Sequence, residues 1–355
     1  MNDIKIKTIF NIIQSDGVGG GMENIFLEYS KILDHQKKVQ DINLICIVPQ
    51  KFCHLKILQQ QNIQIKFLNI RGHFDIFAAL KLWCLIKKYK PELIITHNGR
   101  TSATVNLCQK FSKKTYQTLA INHGGNIKRI LGFDYIICVA KHIERKIISS
   151  NFKGIIKTIY NGYKISSFTK NNQSKDNFVF GILSRLSKEK NIGAAITMFK
   201  KFNDEVEKNS LLIVAGEGQE KFALEKLVQE HNLQNNVKFI GWIKNQAEFF
   251  NQIDVFLQPA LNEPFGMTIL EAFNYQTPVI SCNSFGPQEI IIDGYNGYLF
   301  EPTNIESLFL AMKKSYLEKE NFPIMTQNAH QELREKFSYE IMEKNLLEFI
   351  ETIIK

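Results

Sequence analysis

The stretch Leu257–Pro278, LQPALNEPFGMTILEAFNYQTP, sets two glutamates, Glu263 and Glu271, eight residues apart across a loop that turns into a helix. Ahead of the loop, Asp254 to Pro259 reads as a short buried strand, and after it Gly266 to Tyr275 spaces its apolar residues as a helix does. Pro264 and Gly266 interrupt regular structure. Glu263 is therefore expected in the loop at the strand's carboxyl end, and Glu271 about one and a half turns into the helix. The amides of Gly266, Met267 and Thr268 would make an anion site of the helix start, and Phe265 beside them completes the loop's candidate binding residues. In an open parallel sheet, ligands bind at the carboxyl ends of the strands. The stretch is thus read as part of such a sheet, and as a site for a polyhydroxylated, phosphorylated ligand. Acidic residues near a helix start also favour the dipole whatever the function, so the spacing needs support from elsewhere in the chain.

The 355 residues suit two α/β domains better than one core. A composition of 44% hydrophobic and 22% charged residues is that of a folded chain rather than a disordered one. No apolar run approaches the roughly 18 residues of a membrane span. The start, MNDIKIKTIF, interrupts each short apolar run with a lysine, unlike a signal peptide. The expected location is cytoplasmic. The six cysteines show no CxxC spacing and read as reduced structural thiols. The net charge of +9 is uneven: residues 1–165 carry +15 and residues 166–355 carry −6. Such a basic first half is either a solvated lysine-rich surface or one that docks on an anionic partner, nucleic acid or a membrane face. Its lysines lack interleaved aromatic platforms, which counts against nucleic acid.

Working outward, the chain alternates strands and helices twice. An apolar strand at Lys5 to Ile13 runs into SDGVGGG and a helix at Met22 to Leu33; later strands include Ile42 to Val48, Leu93 to His97 and Tyr116 to Ile121. Lys164 to Asn177 is polar and aperiodic, and reads as a linker. Alternation restarts at Phe178, with strands that include Leu211 to Ala215, Val255 to Gln258 and Val279 to Cys282. This predicts a parallel sheet in each half. The expected organisation is a Rossmann-like domain at 1–163, a linker at 164–177, a second such domain at 178–335, and a helix at 336–355 that could pack on either, with return to the first domain as one option.

Several motifs carry chemistry. SRLSKEKN places Arg185 and Lys190 around the first turn of the second domain, where two fixed cations suit a diphosphate; as a fragment it equally fits two surface cations. Gly216-Glu217-Gly218 lets backbone approach a ligand, or is an ordinary tight turn. In the opening GVGGG, Met22 stands where the dinucleotide fingerprint wants its third glycine, which disfavours a nicotinamide cofactor; Gly20 and Gly21 still offer bare backbone. His97 and His123 each follow an apolar strand, His97 reading more simply as a structural residue. There is no Asp-x-Asp triplet, HExxH or GxSxG, so metal catalysis and a serine nucleophile lose their usual signals.

Together these residues resemble the retaining glycosyltransferases of family 4 (glycosyl transferases group 1), over most of the chain and most strongly from Phe178 to Pro302. The resemblance rests on GGMEN, SRLSKEKN, AGEGQE, FIGW, EPFGMTILEAF, TPVI and GPQEIIIDGYNGYLFEP, in that order. It implies the GT-B fold, two Rossmann-like doubly wound domains facing across a cleft, with the acceptor on the first and a nucleotide sugar, UDP-linked, on the second. By that likeness Arg185 and Lys190 would hold the donor diphosphate, Glu263 the sugar hydroxyls and Glu271 the ribose. His123 would lie near the donor sugar, and Gly20 in the loop facing sugar and acceptor. Ser184, Asn191 and Gln276 replace glycines usual in the family, which leaves donor identity open. The implied reaction is transfer of a hexose or N-acetylhexosamine, with retention and no metal or other cofactor, to a lipid-linked or cell-surface polysaccharide acceptor. The expected partners are the nucleotide sugar, a glycan or lipid-linked acceptor, and an anionic membrane surface. A nucleotide-sugar epimerase or a silent sugar-nucleotide-binding protein on the same fold are the competing readings.

Overall fold

A computed structural model describes residues 7–15, 20–36, 41–111, 114–168, 170 and 177–354. Gly17 and Gly19 of the glycine loop and residues 171–176 of the expected linker lie outside the described residues. The chain divides into two compact units: Met1–Gly162 with Glu340–Lys355, and Tyr163–Tyr339.

The first unit runs β1 (Lys7–Ile12), α1 (Gly21–His35), β2 (Ile42–Val48), α2 (Leu55–Gln60), β3 (Gln64–Phe67) and α3 (Ile76–Tyr89). It continues through β4 (Leu93–Thr96), α4 (Gly99–Cys108), β5 (Gln117–Asn122), β6 (Tyr135–Cys138), α5 (Lys141–Ile148) and β7 (Ile155–Thr158). Its strands form one parallel sheet ordered β3-β2-β1-β4-β5-β6-β7. Central strands such as β4, LIIT, are buried at every residue, because helices on both faces remove the polar alternation a one-sided sheet would show. Asn98 and Thr101 form a reciprocal capping box. That box starts α4 at Gly99, four residues ahead of Ala103, where the apolar pattern by itself predicts a helix to begin.

The second unit runs β8 (Val179–Leu183), α6 (Ile192–Glu205), β9 (Leu211–Ala215), α7 (Lys221–Glu230), β10 (Val237–Gly241), α8 (Gln246–Gln252) and β11 (Val255–Gln258). Then follow α9 (Met267–Asn274), β12 (Val279–Cys282), α10 (Pro287–Ile290), β13 (Tyr298–Phe300), α11 (Glu306–Leu317) and α12 (Phe322–Lys336). The six strands are parallel, ordered β10-β9-β8-β11-β12-β13. Phe180, Phe199 and Phe202 are fully buried, with Phe180 and Phe202 edge to face at 5.0 Å. Each such ring contributes about 1.5–3 kcal/mol by leaving water, so α6 is held firmly against β8.

Two segments at the unit boundaries follow their hydrogen bonds. The described part of the polar stretch after Tyr163 is held on the second unit: Ser166 N donates to Asn274 Oδ1 at 3.0 Å, and Lys170 Nζ to Thr277 Oγ1 at 2.9 Å. The last helix, α13 (Tyr339–Ile354), belongs from Glu340 onward to the first unit. There Phe349 meets Tyr135 edge to face at 6.0 Å, and Met342 Sδ accepts from Gly162 N.

Candidate active site

In the second unit the strand order reverses between β8 and β11, so the turns leaving their carboxyl ends diverge and open a crevice. After β8 the chain passes Arg185 into a single 3₁₀ turn at Lys188–Lys190, stopped by Asn191 in the left-handed region at φ 54°. Asn191 Nδ2 donates to the Pro259 carbonyl at 3.2 Å. This bond ties the turn after β8 to the turn after β11 and carries Lys190 across the crevice. Lys190 Nζ lies 2.7 Å from Glu263 Oε2, which also accepts from Gln258 Nε2 at 3.0 Å. The Lys190 and Glu263 side chains are 23% and 15% exposed. The pair is therefore sheltered enough to exceed an ordinary surface ion pair, yet a ligand can reach it.

Gln258 escaped the sequence reading. Its only signal was an amide closing an otherwise apolar strand. Its Oε1 is buried and meets no donor, a situation that costs about 1–3 kcal/mol and that a ligand hydroxyl would relieve. Arg185 stands apart from this cluster: its guanidinium is 3.9 Å from the Glu189 carboxylate, with side chains 59% and 57% exposed. The structure thus brings Lys190, Glu263 and Gln258 together and leaves Arg185 in solvent.

Gly266 opens α9 at φ 115°, a conformation that only glycine adopts cheaply. Its carbonyl accepts from Ile269 N at 2.9 Å and Leu270 N at 3.4 Å. The Met267 and Thr268 amides stand at the first turn, where a helix offers no internal acceptor. Phe265 requires correction as a candidate ligand contact: it is buried and faces Phe337 edge-on at 6.0 Å, so its ring serves packing. Gly216 and Gly218 also have an internal reason to be glycine. A Cβ at Gly216 would lie 1.8 Å from the Ser184 carbonyl oxygen, and one at Gly218 would lie 2.2 Å from that of Leu186. The bare backbone there lets the turns after β8 and β9 press together.

Glu271, inside α9, is half-buried and its Oε2 has no hydrogen-bond partner. Burial pushes the carboxyl up from 4.5 to about 7, against a lowering by a hydrogen bond from Gln246. The Tyr163 phenol is likewise pushed up, first by burial and then by the Glu271 charge. Like Gln258 Oε1, Glu271 Oε2 is an acceptor waiting for a donor.

The first unit carries its own cluster at the carboxyl ends of β1, β4 and β5. Ser30 Oγ donates to the Phe26 carbonyl at 2.8 Å and accepts from Asn11 Nδ2 at 3.0 Å. Asn11 Oδ1 therefore faces His97 Nε2, at 2.9 Å, and that nitrogen must be the donor. His97 Nδ1 lies 3.3 Å from His123 Nε2, with the rings stacked at 5.5 Å. Burial holds His97 well below its ordinary range, with His123 adding to the effect, and pushes His123 down to about 4. With both rings neutral, His97 Nδ1 accepts and His123 Nε2 donates. His123 is left presenting Nδ1 as an acceptor. Asn11 and Ser30, which start this chain, were invisible as isolated polar residues in apolar segments.

Gly20 is the extended residue before α1, and a Cβ on it would come 3.1 Å from Glu23 Oε2. Glu23 is itself buried and accepts from Ser15 Oγ at 2.8 Å. Gly21 begins the helix and is exposed. Among the described residues, no three His, Cys, Asp or Glu side chains gather as a metal site.

Comparison with known proteins is consistent with this geometry. Residues 164–338 match the family model described as glycosyl transferases group 1. An uncharacterized glycosyltransferase of Methanocaldococcus jannaschii is 30% identical over 251 residues, 61% of this chain and 62% of that protein, so the match spans a little under two thirds of this relative. The capsular polysaccharide biosynthesis glycosyltransferase CapM of Staphylococcus aureus is 23% identical over 79% of this chain and 82% of its own. The crystal structure of Anabaena HepE in complex with UDP and glucose superposes with a TM-score of 0.79 at 18% identity, covering 98% of this chain and all of its own. At that identity the likeness shows the fold, which is that of the GT-B proteins.

Proposed function

Residues 164–338 belong to glycosyl transferases group 1, and from that premise we propose that the chain is a retaining glycosyltransferase. It moves a hexose or N-acetylhexosamine from a nucleotide sugar, UDP-linked, to a lipid-linked or cell-surface polysaccharide acceptor on the cytoplasmic side of the membrane. CapM, by its name, works in capsular polysaccharide biosynthesis, and HepE was crystallised with UDP and glucose; both support the substrate class. The observation that carries the reading is the Lys190–Glu263 pair at 2.7 Å, set where the strand order reverses and beside the start of α9.

The pair explains how one site can hold a sugar diphosphate. Lys190 shifts from Glu263 to the arriving diphosphate, and Glu263, freed of the ammonium, accepts from sugar hydroxyls. The two unpartnered acceptors, Gln258 Oε1 and Glu271 Oε2, take further hydroxyls of sugar and ribose. In the reaction the bond from C1 to the diphosphate oxygen breaks with its electron pair leaving on the diphosphate. Lys190 and the Met267 and Thr268 amides face the charge that develops there, which is where fixed donors lower a barrier most. The acceptor hydroxyl attacks C1 from the same face, and its proton passes to the departing phosphate oxygen. His123 Nδ1 in the first unit accepts from a substrate hydroxyl.

A panel of nucleotide sugars tests the reading. The matching donor, at about 100 times its Kd, should stabilise the protein by roughly 2.7 kcal/mol. NMR of the product should then show the donor's anomeric configuration. A product of inverted configuration rejects the retaining mechanism, and conversion of donor alone identifies an epimerase instead.

A further inference from the structure

From the first unit's surface we infer an anionic-membrane docking face, built from the start of α3, the outer side of α4 and the 3₁₀ turn at Ile127–Arg129, with Phe74 and Phe77 as its apolar anchors. The two phenylalanines are 81% and 86% exposed, and Ile76 and Leu80 beside them are 56% and 42% exposed. Side chains of this size forgo the gain of leaving water when they stand on a surface, and grouped together they mark an interaction site.

The grouping is physical. Asp75 caps α3 by accepting from Ala78 N at 2.9 Å and also takes Arg71 N at 3.0 Å, which fixes the loop that carries Phe74. Ala78, Ala79, Leu82 and Ile86 are buried, and this turns Ile76, Phe77, Leu80 and Lys81 outward. A cavity of about 540 Å³ lies at the other end of the sheet, but the one of about 390 Å³ here is lined by Phe74 together with Leu107, Lys110, Lys128 and Arg129. The Arg129 guanidinium stacks over the Phe74 ring at 5.3 Å. Loop, helix and turn therefore form one continuous face.

Charge decides the occupant. Residues 71–90, 97–111 and 122–133 together carry nine Lys and Arg and a single acid, Asp75, whose carboxylate is already held by backbone amides. Lys81, Lys87 and Lys88 continue outward along α3, beyond its apolar first turn. Aromatic anchors within a field of cations fit a bilayer of anionic phospholipid, where rings enter the headgroup layer and cations meet phosphates. A protein partner would need matching acids, and a second copy would have to bring its acidic residues 166–355 to this face, which is the outcome the dimer measurement reads. No helix among the described residues is long and apolar enough to cross a membrane, so this face would lie on the bilayer and leave it reversibly. The face adjoins the carboxyl edge of the sheet that carries His97 and His123, since a Cβ added to Gly99, at the start of α4, would lie 3.7 Å from His73 Cε1. The inference stands whether or not the chain transfers sugars.

Vesicle flotation of the full chain tests it. The protein should float with vesicles of phosphatidylcholine and phosphatidylglycerol at low salt, stay behind with phosphatidylcholine alone, and lose at least tenfold in partition when salt is raised several-fold, as screening of about 8 Å at physiological salt requires. The double variant Phe74→Ser, Phe77→Ser should lose at least tenfold in partition at every salt concentration, with unchanged melting temperature and unchanged nucleotide-sugar binding. Equal flotation of this variant and the wild type overturns the proposal, as does failure of the wild type to float on anionic vesicles at low salt. A concentration-dependent dimer that the double variant dissociates would assign the face to self-association and overturn it equally.

Discussion

Replacing Glu271 by Gln should make the second unit more stable at alkaline pH and about 1 kcal/mol less stable in acid, where only the cost of the amide remains. Glu271 is a carboxyl whose Oε2 is buried without a donor and whose pKa burial pushes from 4.5 to about 7. A raised carboxyl contributes stability that is complete below its ordinary value and is lost as pH rises through the folded one. The gap from 4.5 to about 7, at about 1.4 kcal/mol per pH unit, makes the buried charge cost at most about 3–4 kcal/mol above pH 8. Glutamine keeps the shape and sheds the charge. Against this gain stands about 1 kcal/mol for placing an amide where Gln246 now donates, so a net gain of about 2 kcal/mol is expected, roughly 4–8 °C in the melting temperature of a unit this size. Melts of wild type and variant at pH 5, 6, 7 and 8 should shift steadily in the variant's favour as pH rises. Parallel curves would show that Glu271 is not charged at a cost, and the assignment of its environment would fall. A second readout follows from the same charge. If Oε2 takes hydroxyls of the nucleotide ribose, binding favours the carboxylate and releases about half a proton at pH 7. Calorimetry in two buffers of different ionisation enthalpy measures that release, and the Glu271→Gln variant should not show it.

Other expectations can be checked more briefly. Lys190→Ala should slow turnover by about 10²–10³, the size of a lost transition-state donor, with a smaller loss in donor binding; an unchanged kcat would remove Lys190 from the site. Activity should persist in EDTA because Lys190 and the α9 amides meet the diphosphate charge, and loss of turnover restored by magnesium would contradict this. Nitrogen NMR should find His123 protonated on Nε2 at pH 7, and His97→Phe should mix its tautomers and weaken KM or kcat while His97→Gln retains part of both. His97 and His123 sit below their ordinary pKa of 6.5, so their contribution to stability is present above 6.5 and is lost as pH falls toward 4; a flat acid limb in urea titrations would refute it.

Much of the fold was legible because parallel strands buried on both faces read as plain apolar runs. Ile42–Val48, Leu211–Ala215, Val255–Gln258 and Val279–Cys282 fall where their sequences place them. The helices α2, α11 and α12 were not foreseen, since α11 and α12 follow the last strand and mix charged with apolar residues without a sharp stripe. At the site, Glu263 and the glycine at the start of α9 were readable from local breakers. The partnership of Lys190 with Glu263 was not, because 73 residues separate them and only the reversal of strand order brings their turns together. Gln258, Asn11 and Ser30 were missed for the opposite reason: each is a single polar group in an apolar segment, and what gives it meaning is a hydrogen bond that no spacing encodes. Phe265 was placed among the binding residues by its position in the loop, and nothing in that position shows that its ring is buried.

The return of α13 to the first unit sets an order of events at the ribosome. Synthesis proceeds from the amino end and domains generally fold as they emerge, yet the first unit's core includes Leu346, Phe349 and Ile350, which are made after the whole of the second unit. The whole second unit is translated while its neighbour still lacks a wall. The second unit can therefore finish first, while the earlier-made unit waits with Tyr135 uncovered until the closing helix arrives.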